Sequence, residues 1–261
     1  MRQLVGALLF AYILILSWTG SAEALGTFTC SSPCVNGDSE VGNGSNTTDP
    51  MTISNAVAGH PILVAIRSGG QNPSNPTIIN GGGNPGTLRW TLLNSQKPVG
   101  SDWVHVVYCA IVPTNGTYTF SATNNALGVR AWTAHYNTGT CSGALTHSSS
   151  SVSTSISSGT VTTSGSAVIF SAIASDTDID GQGGSRTFSG GTIRNNNCNV
   201  VAGLEPDQKG CIGDRGIQAA GTYNAAWTVG RDIWVAIIVA LPTSGAGGTL
   251  PPAAPVNLTV R

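Results

Sequence analysis

Short apolar segments of strand length recur between clusters of Gly, Pro and Asn along most of this chain of 261 residues. These turn-forming clusters end each segment before it reaches the length of a typical helix, and the segments are rich in β-branched and aromatic residues. Only 9% of the residues are charged, so the chain also lacks the Glu and Lys that exposed helix faces usually carry. These features exclude a helical bundle and predict an all-β fold, an antiparallel, jelly-roll-like β-sandwich of about ten strands. The predicted strands cover residues 61–66, 87–93, 103–112, 116–122, 129–136, 167–174, 186–193, 216–219, 222–229 and 233–241.

The two halves of this strand pattern resemble each other. Residues 61–68 match residues 167–175 in their apolar pattern, and Gly-Thr-Tyr occurs both at 116–118 and at 221–223. This internal pseudo-repeat predicts two similar half-sheets that close on one core, in a single β-sandwich domain over residues 55–242.

An Asn-Gly pair at 115–116 predicts a hairpin. Both residues tolerate the positive φ of a tight turn, and β-branched and aromatic residues flank them on both sides. We therefore expect residues 103–112 and 117–122 to form an antiparallel pair.

The tract 146–166 consists almost wholly of Ser, Thr, Gly and Val. In an isolated tract such a composition is typical of a disordered or glycosylated stalk. The tract also contains Val152, Ile156 and Val161, whose β-branched side chains favour one or two exposed edge strands instead.

The N-terminus has the pattern of an export signal. Arg2 precedes an apolar run over residues 4–18, and the small residues Ala22 and Ala24 follow. This pattern predicts a secretory signal peptide over residues 1–24 and a secreted, extracellular protein, with a retained membrane anchor as the alternative. No later segment is long and apolar enough to predict a stable membrane span after signal cleavage.

The ends of the predicted mature chain differ in composition from its centre. Residues 25–54 form a polar, Cys-containing N-terminal segment, whereas residues 243–254 form a Gly/Pro-rich linker. Residues 255–261 alternate apolar and polar side chains. They are either the first strand of a truncated fibronectin type III or immunoglobulin-like module, or a donor strand that pairs with a neighbouring domain or subunit.

Six cysteines follow the predicted signal peptide, namely Cys30, Cys34, Cys109, Cys141, Cys198 and Cys211. An even number of cysteines in an exported protein predicts disulfides. Sequence proximity favours Cys30 with Cys34 and Cys198 with Cys211, which leaves Cys109 for Cys141. Metal binding is the alternative, but the spacing lacks a repeated Cys-x-x-Cys.

The order of strand motifs resembles a type of secreted bacterial β-sandwich domain that often precedes fibronectin type III modules. The motifs that carry the resemblance lie at residues 63–70, 90–92, 107–110, 116–120, 221–227 and 232–236. The resemblance covers about residues 55–241 and consists of strand patterns and turns. It implies an extracellular, multidomain protein with adhesion or polysaccharide binding as its function, and it carries no catalytic residues over to this chain.

Three aspartates, Asp176, Asp178 and Asp180, alternate along one short segment and are followed by Gly181. A tight loop of this kind can direct several carboxylate oxygens at one hard cation, and Ca²⁺ accepts six to eight oxygen ligands. The twelfth position from Asp176 is Thr187 in place of the bidentate Glu of an EF-hand. The segment is therefore either a structural Ca²⁺ site of another type or a solvated acidic turn.

Aromatic rings suggest a binding function, because sugars stack their apolar faces on flat side chains. Most of the Trp and Tyr residues fit the apolar face of a strand and are expected in the core. Trp103 is the best candidate for an exposed, ligand-binding ring, since it begins a strand directly after Ser101 and Asp102.

The net charge, the positions of the histidines and the lack of hydrolase motifs each argue against a class of function. A formal net charge of -1 leaves no basic surface for nucleic acid. The four histidines, His60, His105, His135 and His147, are scattered without metal-ligand spacing, and no motif of a hydrolase is recognisable, so we do not expect an enzyme.

We therefore predict a non-catalytic, secreted module for adhesion or carbohydrate binding within a larger surface protein, with a polysaccharide or another cell-surface ligand as its partner. One alternative is a structural subunit of an extracellular filament that assembles by strand addition. The other is an accessory domain of a polysaccharide hydrolase.

Overall fold

Regular structure in the described part of the chain consists entirely of β-strands. The computed structural model describes residues 28–41, 46–69, 74–98, 100–125, 128–175, 187–194 and 210–243. Its strands are β1 Phe28–Thr29, β2 Cys34–Val41, β3 Met51–Ala56, β4 Pro61–Gly69, β5 Thr77–Asn80, β6 Thr91–Gln96, β7 Trp103–Ile111, β8 Gly116–Thr123, β9 Val129–Tyr136, β10 Leu145–Thr163, β11 Ala167–Ser175, β12 Thr187–Phe188, β13 Thr192–Ile193, β14 Gly210–Gln218 and β15 Gly221–Pro242. All pairs between these strands are antiparallel. The prediction of an all-β, antiparallel fold is confirmed.

The strands form three sheets. The first sheet has the order β1-β2-β9-β4-β7-β6, and the third sheet has the order β3-β8-β5. The second sheet has the order β10-β15-β11-β14-β13, with β12 paired to β15. The predicted segment 25–54 therefore contributes β1, β2 and β3 to the same sheets as the strands of residues 55–242.

The second sheet curls until it nearly closes. β11 pairs with the C-terminal half of β15, whereas β12 pairs with its N-terminal half through Phe188 and Trp227. β13 continues from β12 and pairs with β14 on the other side. The register of β10 against β15 shifts after Ser153 and again after Ser157, and such irregularities allow strands to bend. The two halves of β10 approach each other, because the Nδ1 atom of His147 lies 2.7 Å from the backbone oxygen of Ser158.

The core of the described chain consists of three hydrophobic clusters. The first cluster combines residues of the first and second sheets, such as Leu63 and Phe170. The second combines residues of the first and third sheets, such as Val64 and Tyr118. The third lies within the curled second sheet and includes Trp227. β4 and β11 are covered on both faces, and all nine residues of each are buried, which explains why apolar residues do not alternate with exposed polar residues in either strand.

The sequence echo at Gly-Thr-Tyr has a local structural cause. The hydroxyl of Tyr118 donates a hydrogen bond of 2.7 Å to the carbonyl oxygen of Thr114, and that of Tyr223 donates one of 2.7 Å to the carbonyl oxygen of Ala219. Each tyrosine thus bonds back to the backbone four residues upstream, as in the tyrosine corner of other β-proteins. The motif begins β8 in the third sheet and β15 in the second, so it marks the same turn in two different sheets.

The predicted hairpin of residues 103–112 and 117–122 is wrong. β7 pairs with β4 and β6 in the first sheet, whereas β8 pairs with β3 and β5 in the third. The turn after β7 instead carries the chain from one sheet to the next, and the side-chain oxygen of Asn115 accepts a hydrogen bond of 2.7 Å from the backbone N–H of Ala58. Both faces of β7 are apolar, and this crossing lets β8 cover one of them.

The Ser/Thr-rich tract forms a single long strand, β10, at one end of the strand order of the second sheet. Ile156 and Val161 are buried in the third cluster, whereas Val152 is exposed. This agrees with the edge-strand interpretation of the tract.

Several sequence predictions concern residues outside the described ranges. They are the signal peptide over residues 1–24, the linker beyond Thr243 and the terminal strand over residues 255–261. Within the described ranges, no helix is long and apolar enough to cross a membrane.

Candidate functional site

Trp103 is not an exposed ligand-binding residue, and this prediction is wrong. Its side chain is 0% exposed and belongs to the first hydrophobic cluster. The guanidinium carbon of Arg67 lies 5.3 Å from the centre of its ring, and Arg67 itself donates a hydrogen bond to the backbone oxygen of Ser175 in the second sheet. Because the second sheet covers this face of β7, no sugar can stack on the ring.

The predicted calcium ligands Asp176, Asp178 and Asp180 lie outside the described residues. The Ca²⁺ hypothesis therefore stays a prediction from the sequence.

The structure contains two of the predicted disulfides. Cys30 is bonded to Cys34, and Cys109 is bonded to Cys141. Cys211 is also disulfide-bonded, whereas its predicted partner Cys198 lies outside the described residues. The Cys109–Cys141 bond is the longer-range crosslink of the two described pairs, since it joins β7 to the loop after β9 over a separation of 32 residues.

A cavity of about 270 Å³ lies beside the Cys109–Cys141 disulfide. We call it the Arg89 groove, and it is lined by Thr87, Arg89, Thr91, Cys109, Ile111, Pro113 and Cys141. The segment 87–91 positions three of these side chains, because it is extended and its residues alternate between two sides. Thr87, Arg89 and Thr91 are exposed, whereas Leu88 and Trp90 pack against the second cluster. Trp90 is fixed by a hydrogen bond of 3.1 Å from its Nε1 to Asn80.

Arg89 differs from the buried arginines in having no internal partner. In the described part of the chain, its guanidinium makes no hydrogen bond, ion pair or ring contact. The groove thus combines an available cation, two hydroxyl groups and the apolar side chains of Ile111 and Pro113. A guanidinium can bind a carboxylate through two parallel hydrogen bonds, hydroxyls can bond to a sugar, and apolar atoms can cover its C–H groups.

A second polar group lies between the first and second sheets, and we call it the Asp214 centre. Asp214 is 1% exposed and accepts hydrogen bonds from Arg194 Nε and Nη2 at 2.7 and 2.8 Å. Its oxygens also accept bonds from the Tyr136 hydroxyl at 3.1 Å and the Gly216 N–H at 2.8 Å. Burial raises the pKa of Tyr136 well above its usual value, and the charge of Asp214 adds to this. Tyr136 therefore stays protonated as a donor, and the centre is a closed structural network.

Two of the histidines that are scattered in sequence come together between the first and third sheets. The ring centres of His60 and His135 are 5.7 Å apart. Asn36 lies opposite His135 in the ladder between β2 and β9. We call Asn36, His60 and His135 the His60–His135 cluster. Burial, together with the nearby His60, lowers the pKa of His135 to about 4, so His135 is neutral at pH 7.

His105 is buried separately. Its Nδ1 lies 3.1 Å from the backbone oxygen of Ile66. Burial lowers its pKa to about 4, against the raising effect of this hydrogen bond and together with the charge of Arg67.

Neither the Arg89 groove nor the His60–His135 cluster was predicted from the sequence. The groove depends on residues 87–91, 109–113 and 141, which become neighbours only through the disulfide and the sheet. The apolar and polar alternation of residues 87–91 was the one available signal.

No protein family, no curated protein and no solved structure matches this chain.

Proposed function

We propose that this protein is a non-catalytic, secreted binding module, and that the Arg89 groove binds an acidic sugar of a polysaccharide or cell-surface glycan. The observation that carries the proposal is the guanidinium of Arg89, which has no partner among the described residues and lies in a groove with two Thr hydroxyls and an apolar wall. The proposal includes the sandwich-type extracellular fold and the place within a larger surface protein that the sequence pattern predicts.

The size of the groove supports a small ligand group. Its volume of about 270 Å³ lies just below the range of about 300–1,000 Å³ for small-molecule sites. One sugar residue of a longer chain suits this volume, and the open ends of the polymer would extend into solvent.

The charge of the groove supports an acidic ligand. The chain has few charges, with 11 Lys and Arg against 12 Asp and Glu, so a cation without a partner stands out in its surroundings. A carboxylate on the sugar would supply the partner that Arg89 does not have within the described protein, and hydrogen bonds to charged groups are worth about 1.5–3 kcal/mol each.

The test is titration calorimetry of the purified protein with oligogalacturonate. The matched probe is the same oligosaccharide with methyl-esterified carboxyl groups, which removes the charge and keeps the sugar. We expect binding of the acid form, at least tenfold weaker binding of the ester, and at least a tenfold loss for Arg89→Gln. Arg89→Lys keeps the charge but loses the planar fork, so its loss should be smaller.

Lys97→Gln is the control, because it removes one exposed positive charge outside the groove. Equal affinity of the wild type, Arg89→Gln and Lys97→Gln for the acid form would contradict the assignment of the groove. Preference for the methyl ester would contradict the acidic ligand.

The filament subunit is a second candidate, and one observation favours it. β10 is 19 residues long and lies at the end of the described strand order of the second sheet, so it has an edge to which a donor strand could add. Sedimentation of the full chain should show concentration-dependent assembly that is lost when residues 251–261 are deleted. Unchanged sedimentation after the deletion would contradict this candidate.

A further inference from the structure

The His60–His135 cluster contains more buried polar atoms without partners than any other group of neighbours in the described chain. They are Asn36 Oδ1, His60 Nδ1, His135 Nδ1 and His135 Nε2. His135 is 0% exposed. A buried donor or acceptor without a partner costs about 1–3 kcal/mol, so folded proteins rarely leave several of them together.

Rigid elements hold all three residues. His135 lies within β9, opposite Asn36 of β2 on one side and Ile62 of β4 on the other. The amide of Asn36 is oriented by its donation of a 2.6 Å hydrogen bond to the backbone oxygen of Ser54, which leaves Oδ1 as the free atom. The backbone of His60 is held by hydrogen bonds with Val57 and Val112.

The geometry points to a binding site for a divalent transition-metal ion of the Zn²⁺ or Cu²⁺ class, with His60 and His135 as imidazole ligands and Asn36 Oδ1 as an oxygen ligand. This site is independent of the Arg89 groove and of the function proposed for it. The described residues contain no group of three or more His, Cys, Asp or Glu that could hold a metal, so the site depends on the amide as its third ligand.

The distance between the rings fits one shared ion. At a metal–nitrogen distance of about 2.0–2.1 Å and a tetrahedral angle, two ligating imidazoles have ring centres roughly 5–6 Å apart. The observed separation is 5.7 Å.

The chemistry of the free atoms also favours a cation over water. An imidazole ring can offer one nitrogen lone pair to a metal, and the amide oxygen of Asn36 offers another, so the three residues together supply three lone pairs. A single water has only two protons to donate, whereas a metal ion accepts lone pairs from all three atoms. The second nitrogen of His135 then carries its proton, and a metal-bound histidine commonly gives that proton to a water or a backbone oxygen.

An ion can reach the cluster from solvent, because His60 is only half-buried.

The test is a Zn²⁺ titration of the purified, chelator-treated protein by calorimetry, in buffer with 1 mM Ca²⁺. The Ca²⁺ occupies any oxygen-only site, such as one at Asp176–Asp180, and does not compete for imidazole nitrogen. We expect the wild type to bind one more equivalent of Zn²⁺ than His60→Gln, and its melting temperature to rise with Zn²⁺ while that of His60→Gln does not.

His147→Gln is the matched control, because His147 is an exposed histidine of the second sheet and should bind Zn²⁺ as the wild type does. Cu²⁺ electron paramagnetic resonance gives a second readout, with hyperfine coupling to two nitrogens in the wild type and to one in His60→Gln. Equal Zn²⁺ stoichiometry in the wild type and His60→Gln, or a Cu²⁺ spectrum that His60→Gln does not change, would overturn the site and leave buried water as the occupant. The test uses a variant of His60 because this residue is only half-buried and its substitution should leave the fold intact. A variant of the fully buried His135, such as His135→Asn, could fail to fold.

Discussion

Two adjacent residues of β9 show two ways in which this fold treats buried polar groups. Tyr136 faces the second sheet and belongs to the Asp214 centre, whereas His135 faces the third sheet and belongs to the His60–His135 cluster. Successive side chains of a strand point to opposite faces, so one strand connects both groups. In the Asp214 centre each carboxylate oxygen accepts two hydrogen bonds. In the His60–His135 cluster four buried atoms have no partner among the described residues.

The comparison of the Asp214 centre with the His60–His135 cluster distinguishes polar groups that stabilise the fold from polar groups that are available to a ligand. A satisfied buried network is specific and rigid, but it has no capacity left for another molecule. Unsatisfied groups are the places where an ion, a water or a substrate completes the structure. Arg89 is a surface example of an unsatisfied group, since it is an exposed cation with no partner in the described chain.

The largest effect should come from breaking the satisfied centre. Asp214→Ala leaves the half-buried guanidinium of Arg194 without its carboxylate, and loss of one partner of a buried ion pair costs about 3–5 kcal/mol. Urea denaturation measures this as a lower free energy of unfolding. Asp102→Ala, at an exposed position, should change the free energy by less than about 0.5 kcal/mol, and similar results for both variants would contradict the structural role of the centre.

Acid should weaken the fold through the histidines. The pKa of His105 and of His135 is about 4 in the folded protein, against about 6.5 in an unfolded chain. The unfolded state therefore binds more protons between these values, so the stabilisation is complete above pH 6.5 and is lost as the pH falls toward 4. Between pH 7 and pH 5 we expect a loss of about 2 kcal/mol for each histidine.

The measurement for this effect is the urea midpoint of metal-free protein at pH 7 and pH 5. His105→Gln should lose less stability over this range than the wild type, because one titrating group is gone. A wild-type midpoint that is the same at both pH values would show that these histidines are not buried as described.

Removal of a single hydrogen bond from the Asp214 centre should lower the free energy of unfolding by less than Asp214→Ala does. Tyr136→Phe removes the hydroxyl that donates to Asp214 and keeps the ring, while Asp214 retains Arg194 and Gly216 as donors. We expect a loss of about 1–2 kcal/mol in the free energy of unfolding. A loss as large as that of Asp214→Ala would mean that the tyrosine hydroxyl, and not the ion pair, holds the two sheets together at this point.

The strands were predictable where the sequence pattern is local. Residues 129–136 have the same bounds in the sequence prediction and in β9, because turn residues flank a short segment that is rich in apolar and aromatic side chains. The predicted strands 222–229 and 233–241 are one strand, β15. The Gly and charged residues between them indicated a break in the sequence, but the backbone continues as a strand through them. The crossing to the third sheet after β7 was not predictable, since an Asn-Gly turn is compatible both with a hairpin in one sheet and with a crossing between two sheets.

The sites were much less predictable than the strands. Trp103 begins a strand next to polar residues, but its burial depends on the second sheet, which comes much later in the chain. His60 and His135 are far apart in sequence and meet only through the ladder of β4 with β9. Arg89 could not be distinguished from other exposed cations without the opposite wall of the groove.

The proposed role of the Arg89 groove as the ligand-binding surface of an extracellular module can be tested directly. The direct measurement is a nuclear magnetic resonance titration of ¹⁵N-labelled protein with oligogalacturonate. We expect saturable amide shifts confined mainly to residues 87–91 and 109–112 and to Cys141, with none at the Asp214 centre. Saturable shifts only at other strands, or no saturable shifts with any acidic oligosaccharide, would contradict the claim.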